Sequence, residues 1–221
     1  MIEEKTNKYK IKEIITVLLG LCIVIGRVLL PTEYGVNNTT VILELVIELV
    51  VLVGVILLNK KKVTKIIEDT KSERIATFLK KAFGIAILII VSSMIAGVII
   101  TNIIGNPILS NIIDEFSQCL PIIGLISQII VAPITEELVF RMTLHDLIPN
   151  KILFVIISSI LFAFIHDWFY FSAGLLLYFV LGAVLSLLYL YKAKSVSHMI
   201  VGHSINNFIT SIAKIVSKLN V

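Results

Sequence analysis

Apolar runs close to twenty residues long recur along this chain. Each is long enough to cross the ~30 Å hydrocarbon core of a bilayer as a helix. Inside hydrocarbon no water satisfies the backbone, so a spanning segment must bond to itself and be helical, or close into a barrel. Seven candidate spans follow, at roughly 12–31, 40–59, 83–104, 120–147, 151–166, 170–191 and 196–216. The expected fold is all-α, a polytopic transmembrane helical bundle of about seven spans. A composition of 57% hydrophobic and 15% charged residues, with a mean hydropathy of +1.01, excludes an ordinary soluble domain. Pro31, Asn37-Asn38, Gly105-Asn106-Pro107, Pro149-Asn150 and Lys192–Lys194 punctuate the runs with turn residues.

The net charge of +4 is not a nucleic-acid signal, because the lysines gather beside the apolar runs. Lys5, Lys8, Lys10 and Lys12 precede the first span, and the 60–81 stretch is basic. Loops 31–40 and 105–119 contain no Lys or Arg, which places the N-terminus in the cytoplasm by the positive-inside rule. Seven spans then leave Lys214 and Lys218 outside, against that rule. Segment 60–81 carries Val63, Ile66, Ile67, Ile75, Phe78 and Leu79 at helical spacing and reads as an amphipathic helix on the membrane surface. Cys22 and Cys119 support neither a disulfide framework nor a thiolate metal site. The first apolar run, Ile14–Leu30, is long for a cleaved signal and is interrupted by Arg27, so it reads as a retained helix.

Ionisable groups inside such runs cost roughly 2.5–3.5 kcal/mol each at a helix centre, and default to a functional role with partners. In the first half, Arg27 and Glu44 fall at similar depth on antiparallel spans and are expected to pair. Glu48, one turn deeper than Glu44 on the same face, reads as bundle glue or as the lining of a polar cavity. In the second half three helical spacings stand out: Glu136-Glu137-x-x-x-Arg141, Phe162-x-x-x-His166 and His203-x-x-x-Asn207.

Residues four apart share a helix face, so Glu137 and Arg141 can pair while Glu136 points ~100° away. Burial disfavours the charge on Glu136 and the nearby guanidinium favours it, a balance suited to a general base acting on water. His203 and Asn207 share a face and can both donate to a developing oxyanion. Structural roles compete with each assignment: a charge cluster at a helix end, a hydrogen-bonded core histidine, and interhelical glue. Depth argues for convergence. At 1.5 Å per residue, Glu136 lies ~18 Å from Ile148, His166 ~22 Å from Lys151 and His203 ~12 Å from Ser195, differences that tilt absorbs.

The three motifs, in this order on successive late helices, resemble the CPBP family of intramembrane proteases. That family comprises type II CAAX prenyl endopeptidases and the bacterial bacteriocin-processing and self-immunity proteins, also called the Abi family. The resemblance covers about residues 120–215 and divides the chain into N-terminal membrane helices, 1–110, and a CPBP-like catalytic helical core, 120–216. It implies a glutamate-dependent endopeptidase acting on a peptide or membrane-anchored protein. Glu136 would activate water with His166 as its partner, His203 and Asn207 would stabilise the oxyanion, and Glu137 and Arg141 would hold the geometry. Met142 stands where relatives often carry glycine and is expected to narrow the local packing. The family has been called metalloprotease-like, and two histidines with a glutamate leave zinc open. Without an HExxH pair, metal-independent or metal-optional catalysis is the favoured expectation. A cell-membrane, multi-pass protein of a bacterium fits the Ile-, Lys- and Asn-rich composition. Its expected partners are the lipid bilayer and its substrate, in bacteriocin or signal-peptide maturation or self-immunity. A non-catalytic bacteriocin immunity protein that binds a membrane partner is the alternative, and a small transporter a third class.

Overall fold

The structure is a computed structural model, and it describes residues 2–35, 37–104, 121–167, 172–193 and 195–219. Eight helices account for nearly all of these residues, and there is no strand among them. Helix α1 runs from Ile2–Leu21 through a wide π-type turn, Ile25–Leu29, into Leu30–Tyr34. Helices α2 (Asn38–Leu58), α3 (Lys60–Ser72) and α4 (Ile75–Ile104) follow. Helix α5 is composite, built from Pro121–Ile126, Ser127–Val131, Ala132–Glu136, Glu137–Thr143 and Leu144–Leu147. Helices α6 (Lys151–His166), α7 (Ala173–Leu188, extended by Tyr189–Ala193) and α8 (Val196–Leu219) complete the bundle.

Four of these are long and apolar enough to cross a membrane by length and composition: Asn38–Leu58, Ile75–Ile103, Ile122–Leu147 and Ala173–Ala193. Lys151–His166 is apolar but shorter. The remaining two expected spans are helical, but in α1 the regular α-helix ends at Leu21, partway along the apolar run, and in α8 His198, His203, Asn206 and Asn207 interrupt it.

Turn chemistry sits close to where the residues put it, with two shifts. Asn37 caps α2 in a capping box with Thr40, and Asn150 caps α6 by accepting from the Leu153 N–H at 3.0 Å. Pro31, expected between spans, instead lies within α1 just after the Ile25–Leu29 turn; the reversal falls at Gly35, with φ of 69°. The 60–81 stretch is not one surface helix. It breaks at Glu73, whose backbone is extended, and Ile75–Lys81 already belong to α4. The reversal at Gly105-Asn106-Pro107 lies outside the described residues.

Helix α5 is the centre of the bundle. Half of its apolar window is buried, against 22% for that of α2. One core cluster joins Ile23 of α1, Val51 and Val55 of α2, Ile85 and Ile89 of α4, Phe140 of α5, Phe162 of α6, Leu185 of α7 and Met199 of α8. Val50, Val53 and Leu57 of α2, and Met94 and Val98 of α4, face outward, as lipid permits. Two glycines allow backbones to meet. A Cβ on Gly182 would lie 2.9 Å from the Ser159 Cα, and one on Gly202 would lie 2.9 Å from the Ala82 carbonyl oxygen. Small residues at such crossings are how membrane helices approach closely. Here they fix α7 on α6 and α8 on α4, next to the histidine-bearing turns.

Candidate active site in the bundle core

Helix α5 presents its acidic pair from a short α-helical stretch, Ala132–Glu136, bracketed by two π-type segments, Ser127–Val131 and Glu137–Thr143. A π turn closes i→i+5 and inserts extra backbone into the helix, a distortion frequent at functional sites. Neighbouring side chains bond to the carbonyls of both segments. Asn207 Nδ2 donates to Gln128 O at 2.9 Å, Thr143 Oγ1 to Leu138 O at 2.8 Å, and Ser158 Oγ to Phe140 O at 3.2 Å.

Glu136, Glu137, Arg141 and His203 are at most 3% exposed. His166 Nε2 lies 3.7 Å from Glu136 Oε1, and His203 Nε2 lies 3.9 Å from Glu136 Oε2. Each ring is held by its other nitrogen. His166 Nδ1 meets the Phe162 carbonyl at 2.8 Å, and His203 Nδ1 meets Glu137 Oε1 at 3.0 Å. A carbonyl only accepts, so His166 Nδ1 carries a proton, and in the neutral ring Nε2 is an acceptor facing Glu136. His203 Nδ1 is backed instead by a carboxylate, Glu137, and its Nε2 also faces Glu136.

Arg141 Nε sits 3.5 Å from Glu137 Oε2, one turn away as the spacing requires. Its Nη2 donates to the Gly182 carbonyl at 3.4 Å, and its guanidinium lies 4.7 Å from the Phe162 ring centroid. Glu137 is thus shared between Arg141 and His203, while Phe162 is wedged between Arg141 and His166, whose ring centroid is 4.4 Å away.

The structure therefore brings together five of the six expected residues. The sixth, Asn207, has its amide on Gln128 O and accepts from Asn206 Nδ2 at 3.0 Å, so it meets α5 about two turns before Glu136. Met142, directly after Arg141, is buried and lines a cavity of about 540 Å³ together with Lys62, Glu73, Lys81 and His198. Glu48 meets α5 as well, accepting from Ser127 Oγ at 2.5 Å. The side chain of Arg27, expected to pair with Glu44, lies outside the described residues.

Tyr178 went unnoticed in the sequence. Its ring stacks on His166 at 4.4 Å with a 25° interplanar angle. The signal was available: Tyr178, Gly182 and Ser186 recur every four residues in an otherwise apolar helix, and all three serve this site or its walls. Gly182 accepts from Arg141, and Ser186 Oγ lies 3.0 Å from Ser158 Oγ.

Glu136, His166 and His203 are the residues left open as zinc ligands. Among the described residues, no group of three or more His, Cys, Asp or Glu side chains is arranged to hold a metal ion.

Residues 118–209 match the family model described as type II CAAX prenyl endopeptidase Rce1-like. The UPF0177 protein YxdF of Lactococcus lactis subsp. lactis (strain IL1403) is 37% identical over 79 residues, which are 36% of this chain and 44% of that protein. The chain thus matches under half the length of this curated relative. No solved structure matches the chain.

Proposed function

Because residues 118–209 match the type II CAAX prenyl endopeptidase Rce1-like family model, we propose that this protein is an intramembrane endopeptidase in which Glu136 is the general base. The observation that carries this reading is the convergence of two imidazole Nε2 atoms on one buried carboxylate, at 3.7 and 3.9 Å. Those separations exceed a direct hydrogen bond, and a polar contact of that length is one that a water can mediate with a small adjustment of the rings.

The attacking water sits between Glu136 and His166. It gives one proton to Glu136 and directs the other at His166 Nε2. As its oxygen adds to the scissile carbonyl carbon, negative charge develops on the carbonyl oxygen. His203, protonated on both nitrogens and backed by Glu137, donates to that oxyanion. The C–N bond then breaks, and Glu136 returns its proton to the leaving amine. Glu137 is a positioning residue for His203, and Arg141 for Glu137. Asn207 serves the site through the Gln128 backbone it holds. Nothing in this sequence of steps calls for a metal, so turnover is expected to survive zinc chelation.

The substrate is a peptide or membrane-anchored protein reached from the bilayer. Bacteriocin or signal-peptide maturation, or self-immunity, in a bacterium fits that chemistry, and the N-terminus and the basic end of the bundle are cytoplasmic. The test compares peptide termini in cells expressing wild type and Glu136→Gln at matched membrane levels. Termini that vanish with the substitution support proteolysis and identify the substrate. Identical termini in both would overturn the reading in favour of an immunity protein that acts by binding.

A further inference from the structure

Glu48 is a buried carboxylate that the proposed chemistry does not use. It is the middle residue of the 21-residue α2 and is fully buried. A position at the centre of a span is costly for an ionisable group and calls for a partner. Ser127, the first residue of the π segment Ser127–Val131, donates its hydroxyl to Glu48 Oε2 at 2.5 Å. The next residue, Gln128, accepts from Asn207 of α8 through its carbonyl. Two consecutive residues of one distorted turn are therefore held by two different helices.

What that turn controls is the phase of everything after it. Were Ser127–Val131 to close into regular α-helix, Ala132–Glu136 would rotate by ~100° and slide ~1.5 Å relative to Pro121–Ile126, one residue's worth of helix. Glu136 would then leave the two Nε2 atoms that it faces. Glu48 grips α5 away from the acidic pair: Ser127 and Glu136 are nine residues apart, ~13 Å along the helix.

We infer that Glu48 is a positioning residue of the active site, holding Ser127 against α2 while Asn207 holds Gln128 against α8, so that the π turn keeps Glu136 aimed at His166 and His203. This deepens the endopeptidase reading and rests on it for its catalytic consequence. The grip itself can be tested separately.

The chain has four histidines, so ring ¹⁵N spectra of the full protein in nanodiscs report the site directly. Ser127→Ala removes one hydroxyl and is expected to move the His166 and His203 signals while leaving His145 and His198 in place. Glu48→Ala should do the same, and Glu48→Gln, which keeps an acceptor oxygen for Ser127, should resemble wild type. In cells, the Glu136-dependent termini should fall at least tenfold in Ser127→Ala and stay near wild type in Glu48→Gln. Unmoved His166 and His203 signals in Ser127→Ala would overturn the inference. So would all four signals moving together, which indicates general loosening. If Glu48→Ala does not assemble, Ser127→Ala carries the test. If termini persist in Glu136→Gln, the base assignment falls, and the ¹⁵N spectra still decide whether the grip exists.

Discussion

Among the described residues, a carboxylate–imidazole–cation cluster in the bundle core and another at its basic end use their histidines in opposite ways. At the basic end, Glu73 accepts from Lys81 at 2.5 Å and from His198 Nε2 at 2.6 Å, while His198 Nδ1 donates to Ala193 O at 2.7 Å. Both ring nitrogens face acceptors, so His198 satisfies both contacts only as an imidazolium. Its ring is spent on a clamp that pins the α3–α4 corner to the start of α8. In the core, Glu137 lies between His203 and Arg141, and the Nδ1 atoms of His203 and His166 are held by anchors. Their Nε2 atoms face Glu136. The same residue types make a strut in one place and a reactive centre in the other, and the second ring nitrogen makes the difference.

The sharpest way to break this contrast is Glu136→Gln. If the core is a reactive centre, the substitution lowers the yield of dependent peptide termini by about 10²–10⁴-fold, the range for a general acid–base group. The unfolding midpoint in detergent stays put. Next in size is removal of a cation from the core cluster and, for contrast, of Lys62 from a separate ion-pair group at the basic end. Arg141→Met strands Glu137 in the core and is expected to cost about 3–5 kcal/mol. Lys62 at the basic end bonds Glu13 at 2.8 Å and Asp146 at 2.6 Å, yet its side chain is 30% exposed; Lys62→Met should cost at most ~1 kcal/mol. Equal losses in denaturant titrations of the two variants would erase the distinction between core and rim.

Gly182→Ala tests the wall of the core cluster. Its Cβ meets the Ser159 backbone, so α6 and α7 must separate at a cost of about 1–3 kcal/mol. Because His166 stands on α6 and stacks on Tyr178 of α7, activity should fall with stability; full activity would show that the wall is not part of the site.

The smallest effect is the pH response of the basic end. The hydrogen bond from Lys81 holds the Glu73 carboxyl below its usual range, opposed by desolvation and reinforced by His198. Its contribution to stability is therefore present above the ordinary Glu value and is lost as pH falls below about 4. Partial burial pulls the Lys62 ammonium down, but its hydrogen bonds to Asp146 and Glu13, with their charges, hold it above the usual lysine value. That contribution is complete below the ordinary Lys value and is lost only as pH rises beyond about 10.4. Unfolding midpoints should show no effect of these two groups between roughly pH 5 and 10, and Glu73→Gln should remove the acid limb alone.

Helices were legible because their causes are local. Apolar run length called for spanning helices, Asn37 and Asn150 marked two of their starts, and the Lys151–His166 helix falls at its expected bounds. The pairing of Glu137 with Arg141 and the meeting of Glu136, His166 and His203 also follow from spacing and depth, since a helix converts residue number into angle and height. Distortions and orientations were not legible. The π turns in α5, the break at Glu73, the Gln128 carbonyl that receives Asn207 and the Ser127 hydroxyl that meets Glu48 all depend on side chains brought from other helices. Which nitrogen of each histidine remains to face Glu136 is likewise an outcome of packing. A sequence carries period and capping chemistry within one helix; the partners that bend that helix and orient its rings come from helices tens of residues away, and only their docking selects them.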